Sequence, residues 1–261
     1  MEVSCKICGQ PVNHALDATV LNKYQAVYYH CDNCGFLFPD QINWLEQAYI
    51  NPINLSDTGY ITRNVQLSRR TFLLFYLLFG KKFNYLDYAG GFGVLTRLMR
   101  DYGLNFFWED KYTKNIFASG FEQNDKTIKA VTCFECFEHF KDPMSEIEKM
   151  IAISKNIFFS TELIKNNTVP EKDWNYFGFE HGQHIAFYSI DTLRYIAKKY
   201  QLHLYSNGTS LHFFTEKKIN PLMFKILLKF GALPWDMFAK FLLKGKTLAD
   251  SRLIIENNGD N

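Results

Sequence analysis

Between a short apolar segment and an amphipathic one, the chain reads Leu86-Asp87-Tyr88-Ala89-Gly90-Gly91-Phe92-Gly93-Val94-Leu95. This stretch decides the fold, because the patterns of a buried strand, a glycine turn and the start of a helix follow one another without a gap. A glycine turn lets a ligand approach the backbone, and the first N–H groups of a helix have no partner inside that helix. The stretch therefore predicts a strand–turn–helix unit that binds a ligand at its turn.

Strand and helix patterns alternate on both sides of this turn. The predicted strands are short and apolar and cover 83–87, 105–110, 128–134, 156–161, 202–206 and 211–215. The predicted helices cover 64–80, the residues after the glycine turn, 144–152 and 190–200. Strands separated by helices predict an α/β fold with a largely parallel sheet, which binds its ligands at the carboxyl ends of the strands.

Two matched cysteine pairs stand near the N-terminus. They read Cys5-Lys6-Ile7-Cys8-Gly9 and Cys31-Asp32-Asn33-Cys34-Gly35, with twenty-two residues between the pairs. Four thiolates at this spacing are typical of a structural zinc ribbon, in which protein ligands fill every position on the metal. A disulfide pair or a redox CxxC is the alternative, but neither accounts for two matched pairs. Cys133 and Cys136 repeat the spacing alone, and we expect them to be core residues.

Composition and charge limit the classes of partner. Hydrophobic residues make up 47% of the chain, and 29 Lys and Arg stand against 27 Asp and Glu. This near balance does not favour binding to a long track of nucleic acid phosphates. The first residues lack a basic start followed by an apolar stretch, so we expect a cytoplasmic protein with reduced thiols. The longest apolar run, Phe72 to Phe79, is short of the roughly 20 residues of a membrane-spanning helix.

The sequence predicts four consecutive regions. They are a zinc ribbon at 1–40, a linker and packing helix at 41–82, a ligand-binding domain at 83–218 and an amphipathic helical extension at 219–261. Within the extension, 219–244 predicts one or two helices broken at Pro234. Their apolar faces suit a lid or packing element, while the accompanying lysines suit a membrane surface or a lipid-linked acceptor, and a dimer contact is a third interpretation. The polar stretch 247–261 is expected to fray.

Motifs that follow the glycine turn give it a family resemblance. The spacing Asp-x-Ala-x-Gly-x-Gly resembles motif I of class I S-adenosylmethionine-dependent methyltransferases, and Asp110 follows at the end of the next strand. The segment 131–143 resembles the fourth-strand segment of that family, which commonly ends Glu-His-x-x-x-Pro. The stretches 174–178 and 182–189 resemble the loop before the sixth helix in a bacterial branch that acts on small molecules and sugars.

The resemblance implies a Rossmann-like sheet, mostly parallel with an antiparallel last strand, and S-adenosylmethionine as cofactor. By position, Ala89, Gly91 and Gly93 would present backbone to the amino acid end of the cofactor. Asp110 would hold the ribose, with Glu109 as the alternative. The implied cofactor contacts are Asp87, Tyr88, Ala89, Gly90, Gly91, Gly93, Asp110, Lys111, Phe134 and Glu135.

The chain departs from the family pattern in two places. Ala89 stands where a glycine is usual, which we expect to be tolerated if its φ is negative. The span from Asp110 to Ile128 leaves little room for the usual third strand, so Phe121 or Glu122 would have to contact the adenine.

Acceptor chemistry is predicted in the loop that contains Glu180, His181 and His184. Methyl transfer needs alignment of acceptor, methyl and sulfur, and a hydroxyl or carbon acceptor also needs a base. His184 is the first choice for that base and His181 the second, although a local structural role would equally account for these histidines. Glu138-His139 is interpreted as a strand-end feature of the family.

The sequence therefore predicts an S-adenosylmethionine-dependent methyltransferase with a structural zinc ribbon. The expected acceptor is a small molecule, such as a saccharide or a nucleotide-linked or lipid-linked sugar. The alternatives are an RNA base methyltransferase and a non-catalytic binding protein of the same fold.

Overall fold

In this computed structural model the structure describes residues 3–50, 57–124, 126–234, 239 and 243–259. Several residues of the predicted linker and C-terminal helices lie outside these ranges, namely Asn51, Pro52, Ser56, Trp235, Phe238, Phe241 and Leu242. No helix within the described ranges is long and apolar enough to cross a membrane.

The described residues form alternating strands and helices. The strands are β1 (Asn13–Val20), β2 (Tyr24–His30), β3 (Leu37–Pro39), β4 (Asn84–Tyr88), β5 (Asn105–Glu109), β6 (Ile128–Cys133), β7 (Ile157–Ser160), β8 (Leu163–Ile164), β9 (Tyr188–Ser189), β10 (His203–Ser206) and β11 (Leu211–Thr215). The helices are α1 (Leu45–Ala48), α2 (Tyr60–Leu78), α3 (Val94–Asp101), α4 (Pro143–Ile153), α5 (Ile190–Lys199), α6 (Pro221–Gly231) and α7 (Thr247–Gly259). Each strand and helix predicted between residues 64 and 215 is present, with its ends shifted by a few residues.

The chain divides into two compact units, of which the second joins Asp57–Cys133 to Ile219–Asn261. Its strands lie in the order β6-β4-β5 and run parallel. The rings of Phe75 and Tyr85 lie 5.1 Å apart and those of Phe75 and Phe106 lie 6.1 Å apart, so α2 packs on this sheet. Apolar burial on both sides of β4 fixes the position of the glycine turn that follows it.

Helix α6 is the first of the predicted amphipathic helices and ends before Pro234. Its buried face includes Phe224 and Leu228, and it approaches α2 closely, since a Cβ on Gly231 would lie 2.8 Å from the Cα of Arg70. Of the three interpretations of this helix, the packing element therefore accounts for its buried face. The other face remains exposed and includes Leu222, Met223, Ile226 and Phe230.

The expectation that the chain frays after residue 246 is wrong for Thr247–Gly259, which forms α7. Asp250 is buried on this helix, where it accepts hydrogen bonds from Arg97 at 2.8 Å and from Arg100 at 2.6 and 2.8 Å. Although burial alone would raise the pKa of Asp250, these hydrogen bonds hold it below the usual value. The two-pronged pairing with Arg100 ties the C-terminal helix to α3.

The first unit joins Met1–Ser56 to Phe134–Lys218. Here β11 runs antiparallel to both of its neighbours, β7 and β10, while β1, β2 and β3 form a separate antiparallel sheet beside the four cysteines. These features confirm the predicted α/β class, with a mostly parallel sheet, an antiparallel last strand and an N-terminal four-cysteine cluster. The region boundaries at 41, 83 and 219 remain predictions.

The N-terminal ribbon is joined to the chain between β8 and α5 by buried hydrogen bonds. The carbonyl oxygen of Cys34 accepts from the hydroxyls of Ser189 at 3.2 Å and Thr192 at 2.7 Å. The indole N–H of Trp44 donates to the carbonyl of Gly182 at 2.8 Å. Because these partners are side chains bound to backbone carbonyls, they hold the ribbon and the histidine-containing loop in one arrangement.

Candidate functional site

The glycine turn after β4 is fixed by hydrogen bonds to neighbouring side chains of the second unit. The N–H of Gly91 donates to Oδ2 of Asp110 at 2.9 Å, and the indole N–H of Trp108 donates to the carbonyl of Gly91 at 2.9 Å. A Cβ on Gly90 would lie 2.7 Å from the Trp108 ring and 2.8 Å from Oδ2 of Asp87. Glycine at this position is therefore required by the close approach of both side chains.

Asp110 lies at the turn as predicted, with its carboxylate largely engaged. Besides the bond from Gly91, Oδ1 accepts from the N–H groups of Tyr112 at 2.7 Å and Thr113 at 2.8 Å. Each carboxylate oxygen can accept about two hydrogen bonds, so Oδ2 keeps room for one more donor. Glu109 is half-buried, which raises its pKa, and its carboxylate has no hydrogen bond within the described residues.

Asp87 is buried below the turn at the end of β4. Its Oδ2 accepts from the hydroxyl of Thr96 at 3.1 Å, and its Oδ1 accepts from that of Thr132 at 3.0 Å. These bonds connect β4 to α3 and β6 and fix the strand on which the turn depends. Burial raises the pKa of Asp87 to about 7, and the two hydroxyls oppose that rise only in part.

The raised pKa of Asp87 predicts a pH-dependent loss of stability. In the unfolded chain this carboxyl ionises near pH 4, whereas in the folded chain it stays protonated to about pH 7. Its stabilising contribution is therefore complete below pH 4 and is lost as the pH rises to about 7. Asp87→Asn has no carboxyl to ionise and should not show this loss. We therefore expect the unfolding free energy of the variant, relative to that of the wild type, to rise by a few kcal/mol between pH 4 and pH 7.

Urea denaturation at pH 4.5 and pH 7.5 measures that difference. Comparison with the wild type at each pH cancels the contributions of other groups, including the buried histidines, whose lowered pKa values act in the opposite direction. A constant difference between the two proteins at both pH values would contradict the prediction.

Ala89 does not meet the condition under which alanine was expected to be tolerated. Its φ is 53°, which lies in the left-handed region. A side chain in this region costs about 1–2 kcal/mol relative to its ordinary conformation, and glycine avoids that cost. The neighbouring turn residue Gly91 has a similar φ of 54°.

We therefore expect Ala89→Gly to raise the free energy of unfolding by about 1 kcal/mol, since it removes a methyl group from a left-handed residue. Urea denaturation measures this change. Ala197→Gly, inside helix α5, is the matched control and is expected to lower the same quantity by about 1 kcal/mol. A loss of stability in both variants would show that the turn does not strain Ala89.

The remaining predicted cofactor residues fall in both units. In the second unit, Tyr88 and Gly93 flank the turn and Lys111 is exposed beyond β5. In the first unit, the ring of Phe134 packs edge-on against Phe158, and Glu135 is exposed and accepts a hydrogen bond from the Ser160 hydroxyl at 2.6 Å. Their contacts with a cofactor remain predictions.

Residues 111–124 and 126–127, which follow Asp110, contain no third parallel strand. Within these residues only Glu122 pairs with a strand, through an isolated bridge to Trp108. Phe121 is 4% exposed and carries the Arg100 guanidinium 3.5 Å from its ring centroid. This packing leaves little of the Phe121 ring exposed, and its contact with adenine stays a prediction. Glu122 is the other candidate, with Oε1 accepting from Asn115 at 2.7 Å.

Two aromatic residues support the turn in ways that the motif did not indicate. Trp108 binds the Gly91 carbonyl, and the phenol oxygen of Tyr60 accepts from the N–H of Phe92 at 3.3 Å. Trp108 stands two residues before Asp110, so the two-residue period of a strand could have placed both on one face. Tyr60 lies at the start of α2, far from the motif in sequence, and no local pattern marks it.

The four N-terminal cysteines come together as predicted. Sulfur–sulfur distances are 3.5 Å between Cys5 and Cys34 and 3.4 Å between Cys8 and Cys31, and all four sulfurs lie within 4.8 Å of one another. In a tetrahedral zinc–thiolate site, neighbouring sulfurs lie about 3.8 Å apart, so this arrangement fits such an ion. The cysteines are unbridged, which excludes the disulfide alternative in this structure.

The histidines predicted for the acceptor chemistry lie together in the first unit. The ring centroids of His184 and His181 are 4.8 Å apart, and those of His184 and His139 are 5.0 Å apart. Nδ1 of His184 hydrogen-bonds to the carbonyl of Tyr176 at 2.6 Å, while Nδ1 of His181 accepts from the N–H of Gln183 at 3.2 Å. Glu180 is exposed in the same loop.

Burial sets the charge of this histidine cluster. It lowers the pKa of His184 to about 3 and that of His139 to about 4, and it also lowers the pKa of His181. The rings are therefore neutral at pH 7, which is the form that can accept a proton or a metal ion. Sequence reasoning treated His139 as a family feature and did not place it in this cluster.

Comparison with known proteins identifies the family of the chain. A family model described as a methyltransferase domain matches residues 61–207, which is more than half of the chain. A search of curated proteins gave no match. Among solved structures, similarity was found to magnesium protoporphyrin IX methyltransferase from Synechocystis PCC 6803 with bound SAM, at 9% identity over 67% of this chain and 93% of that one, with a TM-score of 0.40.

Two further structures show similarity of the same order. An O-methyltransferase family protein from Burkholderia thailandensis matches at 13% identity over 69% of this chain and 64% of that one, with a TM-score of 0.44. The plantazolicin methyltransferase BpumL in complex with SAH matches at 12% identity over 66% and 89%, with a TM-score of 0.41. On the match of the family model, the chain belongs to the methyltransferase-domain family and is an S-adenosylmethionine-dependent methyltransferase.

Proposed function

We propose that this enzyme transfers the methyl group of S-adenosylmethionine to a small polar acceptor, a saccharide or a nucleotide-linked or lipid-linked sugar. The observation that carries the proposal is the loop between β8 and β9, where neutral histidines adjoin aromatic rings and an exposed carboxylate. The ring centroids of Tyr176 and His184 lie 4.8 Å apart, and those of Tyr176 and Trp174 lie 5.2 Å apart. Aromatic surfaces with a few placed polar groups suit recognition of a small ligand.

The cofactor would be held mainly by the glycine turn of the second unit. The backbone of Ala89, Gly91 and Gly93 would face its amino acid end. The ribose hydroxyls would donate to Asp110, which keeps one acceptor position on Oδ2, and to Glu109, whose carboxylate is otherwise unbonded within the described residues. Glu109 thus becomes a partner of Asp110 rather than its alternative.

The acceptor would be activated in the first unit. His184 is held through Nδ1, so its Nε2 lone pair would remove a proton from an acceptor hydroxyl or carbon acid. His181 and Glu180 are the other candidates in the loop. The zinc ion that we assign to the four cysteines would have a structural role, because four thiolates leave no position for a substrate.

Calorimetric titration of the zinc-loaded protein with S-adenosylmethionine and S-adenosylhomocysteine tests the cofactor site. We expect micromolar dissociation constants for both, and loss of binding in Gly91→Ala, because the added Cβ crowds the backbone that faces the cofactor. Gly208→Ala is the matched control, since Gly208 also has a positive φ but its Cβ would meet nothing within 4 Å. Absence of binding at millimolar ligand would favour the non-catalytic alternative.

An acceptor screen then separates the remaining alternatives. Sugar nucleotides and RNA are supplied with S-adenosylmethionine, and formation of S-adenosylhomocysteine is measured. Turnover with a sugar nucleotide supports the proposal. Turnover with RNA alone, together with RNA binding that falls steeply as salt is added, would replace it with the RNA methyltransferase alternative.

A further inference from the structure

Three side chains with metal-binding groups converge in the first unit, apart from the four cysteines. Glu138, His139 and His184 each bring one ligand-type atom within 4.8 Å of the others. Glu138 and His139 lie on a short 3-10 helix, Phe137–His139, and His184 comes from the loop before β9. The cluster therefore joins two segments that are separated by more than 40 residues in the sequence.

Hydrogen bonds fix the proton positions of both imidazoles. Nδ1 of His139 bonds to the carbonyl of Gln183 at 3.0 Å, and Nδ1 of His184 bonds to the carbonyl of Tyr176 at 2.6 Å. Nδ1 of His139 also lies 2.9 Å from the Tyr49 hydroxyl, whose oxygen accepts in the tautomer that donates to Gln183. Because a carbonyl oxygen can only accept, each Nδ1 bonded to one carries the hydrogen, and each Nε2 keeps its lone pair. A second ring nitrogen bound to a backbone carbonyl is the usual arrangement of a metal-binding histidine.

The remaining member of the cluster is a carboxylate in a buried position. Glu138 is 1% exposed, and an ionised carboxylate at that depth requires compensation by charge and hydrogen bonds. The carbonyl oxygen of Glu138 accepts from the N–H groups of Ile185 at 2.8 Å and Ala186 at 3.0 Å. The backbone therefore holds Glu138 beside the segment that carries His184, so the three groups are positioned before any ligand binds.

We propose that Glu138, His139 and His184 bind a divalent transition-metal ion at a second site, distinct from the zinc ribbon. Two neutral imidazoles and one carboxylate suit zinc, cobalt and iron better than magnesium or calcium, which prefer oxygen ligands. Three protein ligands leave at least one coordination position, which a water molecule or an acceptor oxygen can take. His139 and His184 are partly exposed, so the ion has a route to them.

This inference goes beyond the proposed methyl transfer and does not depend on it. An ion at this site occupies the Nε2 lone pair that the proposed function gives to His184, and the role of base then passes to the exposed carboxylate of Glu180. The two assignments are separable, because metal binding is measured in the absence of cofactor and acceptor.

The test uses protein loaded with a single equivalent of Zn²⁺, which the four cysteines take. Titration of this protein with Co²⁺ is followed by visible absorption and calorimetry. We expect one Co²⁺ per chain beyond the zinc, with ligand-field bands and without the sulfur-to-cobalt charge-transfer band that exchange into the cysteine site would produce. Glu138→Gln and His184→Gln are expected to weaken Co²⁺ binding at least tenfold. His181→Gln is the matched control in the same loop and is expected to leave the affinity unchanged within about threefold, because its Nδ1 is the acceptor of an N–H bond.

Near-UV circular dichroism checks that each variant keeps its tertiary structure. The number of Co²⁺ ions bound per wild-type chain tests the second site without any variant. The proposal is overturned if the zinc-loaded wild type binds no Co²⁺ at millimolar concentration. It is also overturned if all bound Co²⁺ shows the sulfur charge-transfer band, or if His181→Gln weakens binding as much as His184→Gln does.

Discussion

Replacement of Cys31 by serine is expected to abolish zinc binding at the four-cysteine site and to unfold the N-terminal ribbon. Cys31 lies 3.4 Å from Cys8 within the four-sulfur cluster, and serine cannot supply the thiolate that completes the tetrahedral set. A structural zinc site contributes on the order of 10 kcal/mol to the folding of such a segment. The loss should extend to the histidine loop, because the carbonyl of Cys34 is a hydrogen-bond acceptor for Ser189 and Thr192.

Metal analysis by mass spectrometry and proteolysis of the folded protein measure this effect. We expect the wild type to carry zinc in the ribbon and the variant to lose it, with new cleavage both before residue 50 and between residues 165 and 189. Cys136→Ser is the matched control, because Cys136 also belongs to a CxxC spacing but lies outside the cluster. A Cys31→Ser protein that keeps its zinc and resists protease would disprove the assignment.

Asp250→Asn is expected to destabilise the second unit by about 3–5 kcal/mol. The substitution removes the negative charge that accompanies two arginines, and it leaves the Arg100 guanidinium buried without a counter-charge. Arg100 is 6% exposed, so water cannot replace the lost partner. Helix α7 should also be held less firmly against α3, to which the Thr247 hydroxyl would still be bonded through Asp101 at 2.7 Å.

Urea denaturation and hydrogen exchange of the α7 amides measure the change. Glu256→Gln, an exposed position on the same helix, removes the same charge and is expected to alter the unfolding free energy by less than about 0.5 kcal/mol. Equal effects of the two substitutions would indicate that Asp250 contributes only to net charge. If Asp250→Asn lowers the unfolding free energy by less than about 1 kcal/mol, Asp250 and Arg100 do not form a stabilising buried ion pair.

The parts of the molecule that the sequence predicts well are those that local patterns specify. Asp87, the glycines and Asp110 follow one another within some twenty-five residues, so their alignment with a strand, a turn and the next strand can be inferred from spacing. The four cysteines are equally clear, because metal coordination requires matched pairs. Apolar runs such as that of β4 predict a buried parallel strand through composition alone.

The parts that escape prediction depend on contacts between distant residues. The polar sequence of α7 gives no amphipathic signal, and its helix is secured by Asp250 bonding to Arg100, which lies 150 residues earlier. The φ of Ala89 is imposed by the turn around it and not by its own preference. His139 joins His184 only because the backbone after β6 lies beside the loop before β9, a pairing that no local period reveals.

The bond between the Cys34 carbonyl and Thr192 spans 158 residues, and this separation has a consequence for synthesis of the protein on the ribosome. Both cysteine pairs emerge more than 150 residues before Thr192 and can capture their ion at once. The surface on which the ribbon docks is completed only when Ser189 and Thr192, which lie 155 and 158 residues after Cys34, have been translated. Until then the apolar side of the ribbon, including Tyr28, remains uncovered, and the ribbon cannot dock before the loop that carries the histidines has been made.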